Sequence, residues 1–68
     1  MNTVTNMPEL KRYLGRIKAR DGTLFGTYED WLTDDDDARA TYRTYMQQQG
    51  YKVKTITVQN QLVIIEIQ

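Results

Sequence analysis

A change of periodicity at Gly50 constrains the fold of this chain more than any other sequence feature. Before Gly50, residues recur at helical spacing, and after it β-branched residues alternate as they do in strands. The predicted helix spans residues 33–50, with Thr33 as its N-cap, Asp36 in a capping-box position and Gly50 as the left-handed residue that ends it. The stripe along one side of this helix consists of Ala38, Tyr42, Tyr45, Met46 and Gln49.

Residues 51–58 and 62–67 predict a β-hairpin after the helix. Both segments are rich in β-branched side chains. The polar stretch 59–61 between them is short, and its central Asn60 tolerates a positive φ. We therefore expect a loop of three residues.

The register of this hairpin follows from the length of its loop. A three-residue loop sets Val53 opposite Ile67 and brings the opposite charges of Lys54 and Glu66 together. A two-residue loop would set Val53 against Glu66, so the three-residue register is favoured. In that register one face of the hairpin carries Ile56, Val58, Leu62 and Ile64.

A second hairpin is predicted before the helix. The dipeptide Asp21-Gly22 is a strong turn signal, and segments 13–20 and 23–28 pair around it through a short loop. The alternative is a helix over residues 7–20. That alternative is favoured by the helical spacing of Leu10, Tyr13, Leu14 and Ile17.

Together these elements predict a two-layer α+β domain in the order β-β-α-β-β, with an antiparallel sheet of two hairpins packed on one central helix. If residues 7–20 are helical, the order becomes α-β-α-β-β. Trp31 and Leu32, just before the helix, are expected to anchor it to the sheet. All 68 residues are expected to form one small domain, with a flexible segment over residues 1–7.

The chain contains no His, no Cys and no Ser, which argues against most catalytic chemistry. These residues supply the usual nucleophiles, the proton carrier of neutral pH and the ligands of most zinc sites. The four consecutive acids of residues 34–37 lack the spacing of a calcium-binding loop, and a helix start splays them apart. We therefore expect no catalysis, no metal, no cofactor and no small-molecule substrate.

The charges sum to +0 but are separated along the chain. The basic segment 11–20 contains Arg16, Lys18 and Arg20, which alternate onto one strand face and are candidate phosphate contacts. A set of six acidic residues lies at and just before the helix start. These residues either stabilise the helix through its dipole or form a surface for electrostatic recognition. That group consists of Glu29, Asp30, Asp34, Asp35, Asp36 and Asp37.

The C-terminal hairpin is apolar on both faces, although one helix covers only one face of a sheet. The surplus face is expected to contact a second copy of the chain or a protein partner. The leading hypothesis is therefore a non-catalytic protein–protein interaction module, with Ile56, Val58, Leu62 and Ile64 at its homodimer or partner interface. The alternatives are a nucleic-acid-binding module that uses segment 11–20 and an accessory subunit of an enzyme.

The sequence also favours a cytoplasmic protein. No apolar run approaches the length of a membrane span, and the first residues do not resemble a secretory signal. Small cysteine-free proteins without a site of their own are common among accessory factors of phages and mobile elements, which bind and modulate a host protein. We expect this chain to be such a factor.

Overall fold

A computed structural model describes residues 9–68, except for the side chain of Phe25. The elements in this range are strands β1 (Lys11–Lys18) and β2 (Leu24–Leu32), helix α1 (Asp35–Gln48), and strands β3 (Val53–Gln59) and β4 (Leu62–Ile67). The predicted α+β class and the order β-β-α-β-β are confirmed. Residues 1–8, which include the segment predicted to be flexible, lie outside the described residues.

The first hairpin forms around the predicted turn. Gly22 has a φ of 86°, and the backbone N–H of Ala19 donates to the carbonyl of Thr23 at 2.9 Å. Asp21 Oδ1 accepts the backbone N–H of Thr23 at 3.0 Å, and the bonds with Thr23 lower the pKa of the Asp21 carboxyl. Because residues 11–18 are a strand, the alternative of a helix over residues 7–20 is wrong in that range.

The helix begins one residue later than predicted, with Asp34 rather than Thr33 as its N-cap. Asp34 Oδ1 accepts the backbone N–H of Asp37 at 2.8 Å, whereas Thr33 donates its own N–H to Asp37 Oδ2 at 3.0 Å. An aspartate carboxylate caps as well as a hydroxyl does and adds negative charge at the positive end of the helix dipole. Gly50 has a φ of 85° and lies just beyond the helix, as predicted.

The four strands form one mixed sheet in the order β2-β1-β4-β3. Each hairpin is antiparallel, but the hairpins meet through β1 and β4, which run parallel. Helix α1 connects the two edge strands, β2 and β3, and lies across one face of the sheet. The two antiparallel hairpins form as predicted, but the prediction of an antiparallel sheet is wrong at its centre, where β1 and β4 pair in parallel.

The loop of the second hairpin has two residues, and the prediction of three is wrong. Asn60 and Gln61 have φ angles of 51° and 64°, which is the backbone of a tight hairpin turn, and Gln59 pairs with Leu62. A β-bulge between Val53 and Thr55 then shifts the register by one residue. The bulge restores the predicted pairing of Val53 with Ile67 despite the shorter loop.

The two faces of the sheet differ in what covers them. The covered face packs against Ala38, Tyr42 and Met46 of the helix, which are all fully buried. The strand residues buried in this core are Tyr13, Ile17, Val63, Ile65 and Ile67. The open face carries Arg12, Leu14, Arg16 and Lys18 from β1, Thr27, Glu29 and Trp31 from β2, Leu62, Ile64 and Glu66 from β4, and Thr55, Thr57 and Gln59 from β3.

Candidate functional site

The open face carries a contiguous apolar strip that crosses three strands. Leu14 of β1 pairs directly with Leu62 of β4, and Ile64 follows Leu62 on the same face. Trp31 pairs with Arg12, which makes it the diagonal neighbour of Leu14. Trp31 is 60% exposed and Leu14 is 38% exposed, whereas Leu62 and Ile64 are partly buried, so the strip is exposed mainly at β1 and β2.

Charged side chains of both signs border this strip. Arg12 Nε donates to Glu29 Oε2 at 2.6 Å, and the two side chains form an ion pair. Glu66 Oε1 accepts the hydroxyl of Thr55 at 2.8 Å. Neither Arg16 nor Lys18 forms an ion pair with any residue of 9–68. The open face therefore keeps two cations that are available to a ligand.

Two shallow depressions flank the centre of the open face. The first, about 460 Å³, lies between β1 and β2 and is lined by Leu14, Gly15, Arg16, Thr27, Tyr28 and Glu29. The second, about 340 Å³, lies over β3 and β4 and is lined by Thr57, Gln59, Asn60, Leu62 and Ile64. Both are open to solvent and mix polar with apolar groups, which suits contact with a surface better than enclosure of a small molecule.

The predicted interface residues Ile56, Val58, Leu62 and Ile64 do not share a face. Ile56 pairs with Ile65 and Val58 with Val63, so both pack against the core on the covered side. Leu62 and Ile64 lie on the open face. The reason is the two-residue loop, because a shift of one residue exchanges the faces of a strand. The placement of the four residues on one surface is wrong, and the role of Leu62 and Ile64 stays a prediction.

Trp31 and Leu14 lie on the open face, whereas the predicted interface contained Ile56 and Val58 instead. Trp31 was predicted to anchor the helix, but β2 continues to Leu32 and points Trp31 away from α1. Leu32 does pack against the core. Alternation along β1 and β2, counted outward from the buried Tyr13, is the signal that identifies both residues.

The acidic run 34–37 is held by contacts within the chain. Asp34 caps the helix, and Asp35 Oδ1 accepts the Tyr13 hydroxyl at 2.8 Å. Asp36 pairs with Arg39 at 2.9 Å. These three carboxylates have separate partners within the chain although they line one open depression, and within residues 9–68 no group of three ligands is arranged to hold a metal ion.

The fourth acid of this run, Asp37, ties the helix to the end of β2. Its Oδ2 accepts both the backbone N–H and the hydroxyl of Thr33 at 3.0 Å. These bonds lower the pKa of the Asp37 carboxyl because they stabilise its ionised form. A structural role therefore accounts for each aspartate of the run.

Glu29 and Asp30 do not extend this acidic run, because they point to opposite faces of β2. Glu29 lies on the open face with Arg12. Asp30 lies on the covered side, where its Oδ1 accepts the Tyr45 hydroxyl at 3.1 Å. The predicted set of six acids is therefore not one surface, and electrostatic recognition by the remaining acids stays a prediction.

A cluster of tyrosines packs beside Asp30 between the helix and β2. The rings of Tyr28, Tyr42 and Tyr45 lie 5.1–5.8 Å apart, centroid to centroid. Burial raises the pKa of Tyr42 and of Tyr45, and the negative charge of Asp30 adds to both shifts. Asp30 Oδ2 is buried and has no hydrogen-bond partner among the described residues. Tyr42 belongs to the core, and Tyr28 and Tyr45 pack against it.

The three predicted phosphate contacts are only partly brought together. Arg16 and Lys18 alternate along β1 on the open face, as predicted. Arg20 lies beyond the end of β1, at a depression of about 360 Å³ that Lys54, Glu66 and Gln68 also line. The expected row of three cations on one strand is therefore wrong at Arg20, because the turn begins before it.

Comparison with known proteins finds no matching family model, no matching curated protein and no matching solved structure. Function is therefore inferred from the residues of this chain. No helix among residues 9–68 has the length and apolar character needed to span a membrane.

Proposed function

We propose that this chain is a non-catalytic protein–protein interaction module that binds another protein chain on its open face. The observation that carries the proposal is the apolar strip of Leu14, Trp31, Leu62 and Ile64 on a sheet face that no element of residues 9–68 covers. A small domain has few apolar side chains and normally buries them in its one core. Contiguous exposed apolar surface of this kind marks a contact site.

The composition of the open face also favours a protein partner. Aromatic and arginine side chains dominate the binding energy of protein interfaces, and Trp31 lies beside Arg12 on this face. The face carries charges of both signs. Arg12 forms an ion pair with Glu29, and Lys18 lies beside Glu66. Such a mixture fits a protein surface, which carries both signs itself.

Nucleic-acid binding is the second candidate function. Arg16 and Lys18 have no carboxylate partner in the described part of the chain, and Trp31 offers an exposed ring on the same face. Proteins bind single-stranded nucleic acids with cations that contact the phosphates and aromatic rings that stack on the bases. Glu29 and Glu66 lie on the same face and repel phosphate, so the protein partner is the better supported candidate.

The setting of this activity is part of the proposal. We place the chain in the cytoplasm, as an accessory factor of a phage or mobile element that modulates a host protein. Its lack of His, Cys and Ser supports a role in binding rather than in catalysis.

Affinity capture with matched variants tests the proposed function. The wild-type chain, Leu14→Asp and Gln47→Asp are immobilised separately and exposed to lysate of the native cell. Gln47 is an exposed helix residue away from the open face, so Gln47→Asp controls for added charge. We expect proteins retained by the wild type and by Gln47→Asp to be lost with Leu14→Asp.

The competing outcomes are distinct in this experiment. Equal retention by all three folded chains would contradict binding through the open face. A gel shift of a labelled single-stranded oligonucleotide that weakens with salt and with Arg16→Ala plus Lys18→Ala would favour the second candidate instead.

A further inference from the structure

We propose that the open face binds the open face of a second copy of the chain, through a two-fold axis that runs parallel to the strands between β1 and β4. This inference rests on the proposed function and concerns the same surface, so a second copy and a host protein would compete for the open face. The symmetric contact requires that the surface match itself. The register of the sheet allows this match to be examined residue by residue.

The two central strands supply the first match. The parallel register sets Leu14 beside Leu62 and Lys18 beside Glu66. A two-fold axis between these strands lays β1 of one copy over β4 of the other. Leu14 then packs on Leu62 of the second copy, and Lys18 meets Glu66 of the second copy. Arg16 comes over Ile64 of the second copy, where its aliphatic stem packs while its charge has no opposite charge facing it. Each contact occurs twice, so the dimer gains two ion pairs between Lys18 of one copy and Glu66 of the other.

The edge strands supply the second match, because the same axis lays β2 over β3. Glu29 then faces Gln59, and Thr27 faces Thr57, so no like charges are opposed. Trp31, the most exposed large apolar side chain at 60%, lies two residues beyond Glu29 and comes over the β3–β4 turn of the second copy. A depression of about 340 Å³, lined by Thr57, Gln59, Asn60, Leu62 and Ile64, begins at this turn. The projecting ring thus meets the second copy at Asn60, on the rim of the depression.

A two-fold axis across the strands is unfavourable. If it crosses β1 at Gly15, it lays β1 over β1 of the second copy in reverse, with Arg12 against Lys18. Like charges that face each other across an interface are repulsive. Charge therefore favours the axis parallel to the strands.

The size of the face predicts the strength of this dimer. Four strands about 4.8 Å apart, over six residues of about 3.3 Å each, give a contact roughly 20 Å on each side, or about 400 Å². This area is below that of a standard interface, which buries about 800 Å² per partner. We therefore expect a reversible dimer whose population depends on protein concentration.

Charge reversal in the full chain tests the arrangement. Sedimentation velocity from about 1 μM to about 1 mM, a range that spans weak association, should show a wild-type monomer–dimer equilibrium. Lys18→Glu and Glu66→Lys should each raise the dissociation constant at least about tenfold, because each opposes two pairs of like charges. An equimolar mixture of the two variants should restore association as a heterodimer in native mass spectrometry, since both contacts again pair opposite charges.

Controls separate this result from loss of the fold or of the proposed function. Arg43→Glu reverses a charge on the exposed side of the helix and should leave the dissociation constant unchanged. A wild-type monomer at every concentration, or variants that fail to associate preferentially with each other, would overturn the dimer. If the monomer result comes with capture that Leu14→Asp abolishes, the partner is a foreign protein and the proposed function stands. If Leu14→Asp also has no effect on capture, both proposals fail.

Discussion

The covered and open faces of the sheet are built from the same strands, yet they have different chemistry. Tyr13 and Ile65 on the covered face are fully buried beneath the helix. Residues one step along, Leu14 and Ile64, point the other way and remain at the surface. The covered face is apolar because it forms the core, whereas the open face mixes apolar side chains with charges of both signs. A sheet with one helix can therefore fold on one face and bind on the other.

Adjacent residues of β4 should give the largest contrast between the faces. Ile65→Asp should unfold the domain, because an unpaired buried charge costs more than about 4 kcal/mol and a small domain has little more than that to lose. Ile64→Asp should leave a folded chain at a cost of about 1 kcal/mol and abolish association through the open face. Circular dichroism in urea measures the stability of both variants. Unfolding of Ile64→Asp would contradict its position on the open face.

A glycine contact tests how tightly the covered face is packed. A Cβ at Gly15 would lie 2.9 Å from Cε1 of Tyr42, whose ring is fully buried and held by its neighbours. Gly15→Ala should therefore lower the free energy of unfolding by about 2 kcal/mol. Gly26→Ala is the matched control, because its Cβ would meet only the flexible end of Ile17 at 3.1 Å. Equal losses for the two variants would contradict a tight contact at Gly15.

Titration at high pH tests the polar contact at the edge of the core. Burial, and then the hydrogen bond to Asp35, raise the pKa of Tyr13 from 10.0 to about 12. Between these values the unfolded chain loses the Tyr13 proton while the folded chain keeps it, so stability present below pH 10.0 should be lost as the pH approaches about 12. Tyr13→Phe should lower the melting temperature at neutral pH by roughly 5 °C.

The readouts for this prediction are tyrosinate absorbance and thermal melts across the alkaline range. Tyr13→Phe should also flatten the loss of stability with pH, because it removes one of the groups that titrates. An unchanged pH dependence in Tyr13→Phe would assign the alkaline transition to other tyrosines, such as Tyr42, whose pKa burial also raises.

The smallest effect is expected for the ion pair on the open face. Arg12 and Glu29 are more than half exposed, so a double-mutant cycle of Arg12→Ala and Glu29→Ala should give a coupling of about 0.5 kcal/mol that falls with added salt. Denaturant unfolding of the four chains measures this coupling. A coupling above about 2 kcal/mol would mean that contacts on the open face contribute as much to the free energy of unfolding as contacts on the covered face.

Much of the fold was predictable because its signals are local. The turn at Asp21-Gly22 and the helix end at Gly50 each depend on a few residues, and both are confirmed. The burial of Ala38, Tyr42 and Met46 follows from helical spacing alone. The candidate site was predictable only in part. Leu62 and Ile64 were identified, but Trp31 was assigned to the wrong side.

The sequence by itself determined which segments form strands and which forms the helix. It also shows that the usual catalytic side chains are scarce. Only the tertiary structure decided which residues face the helix. A bulge before Thr55 and a two-residue turn at Asn60-Gln61 turn Ile56 and Val58 inward. Pairing of β1 with β4 brings Leu14 beside Leu62. The physical reason is that a shift of one residue exchanges the two faces of a strand, and packing of the whole sheet selects the register.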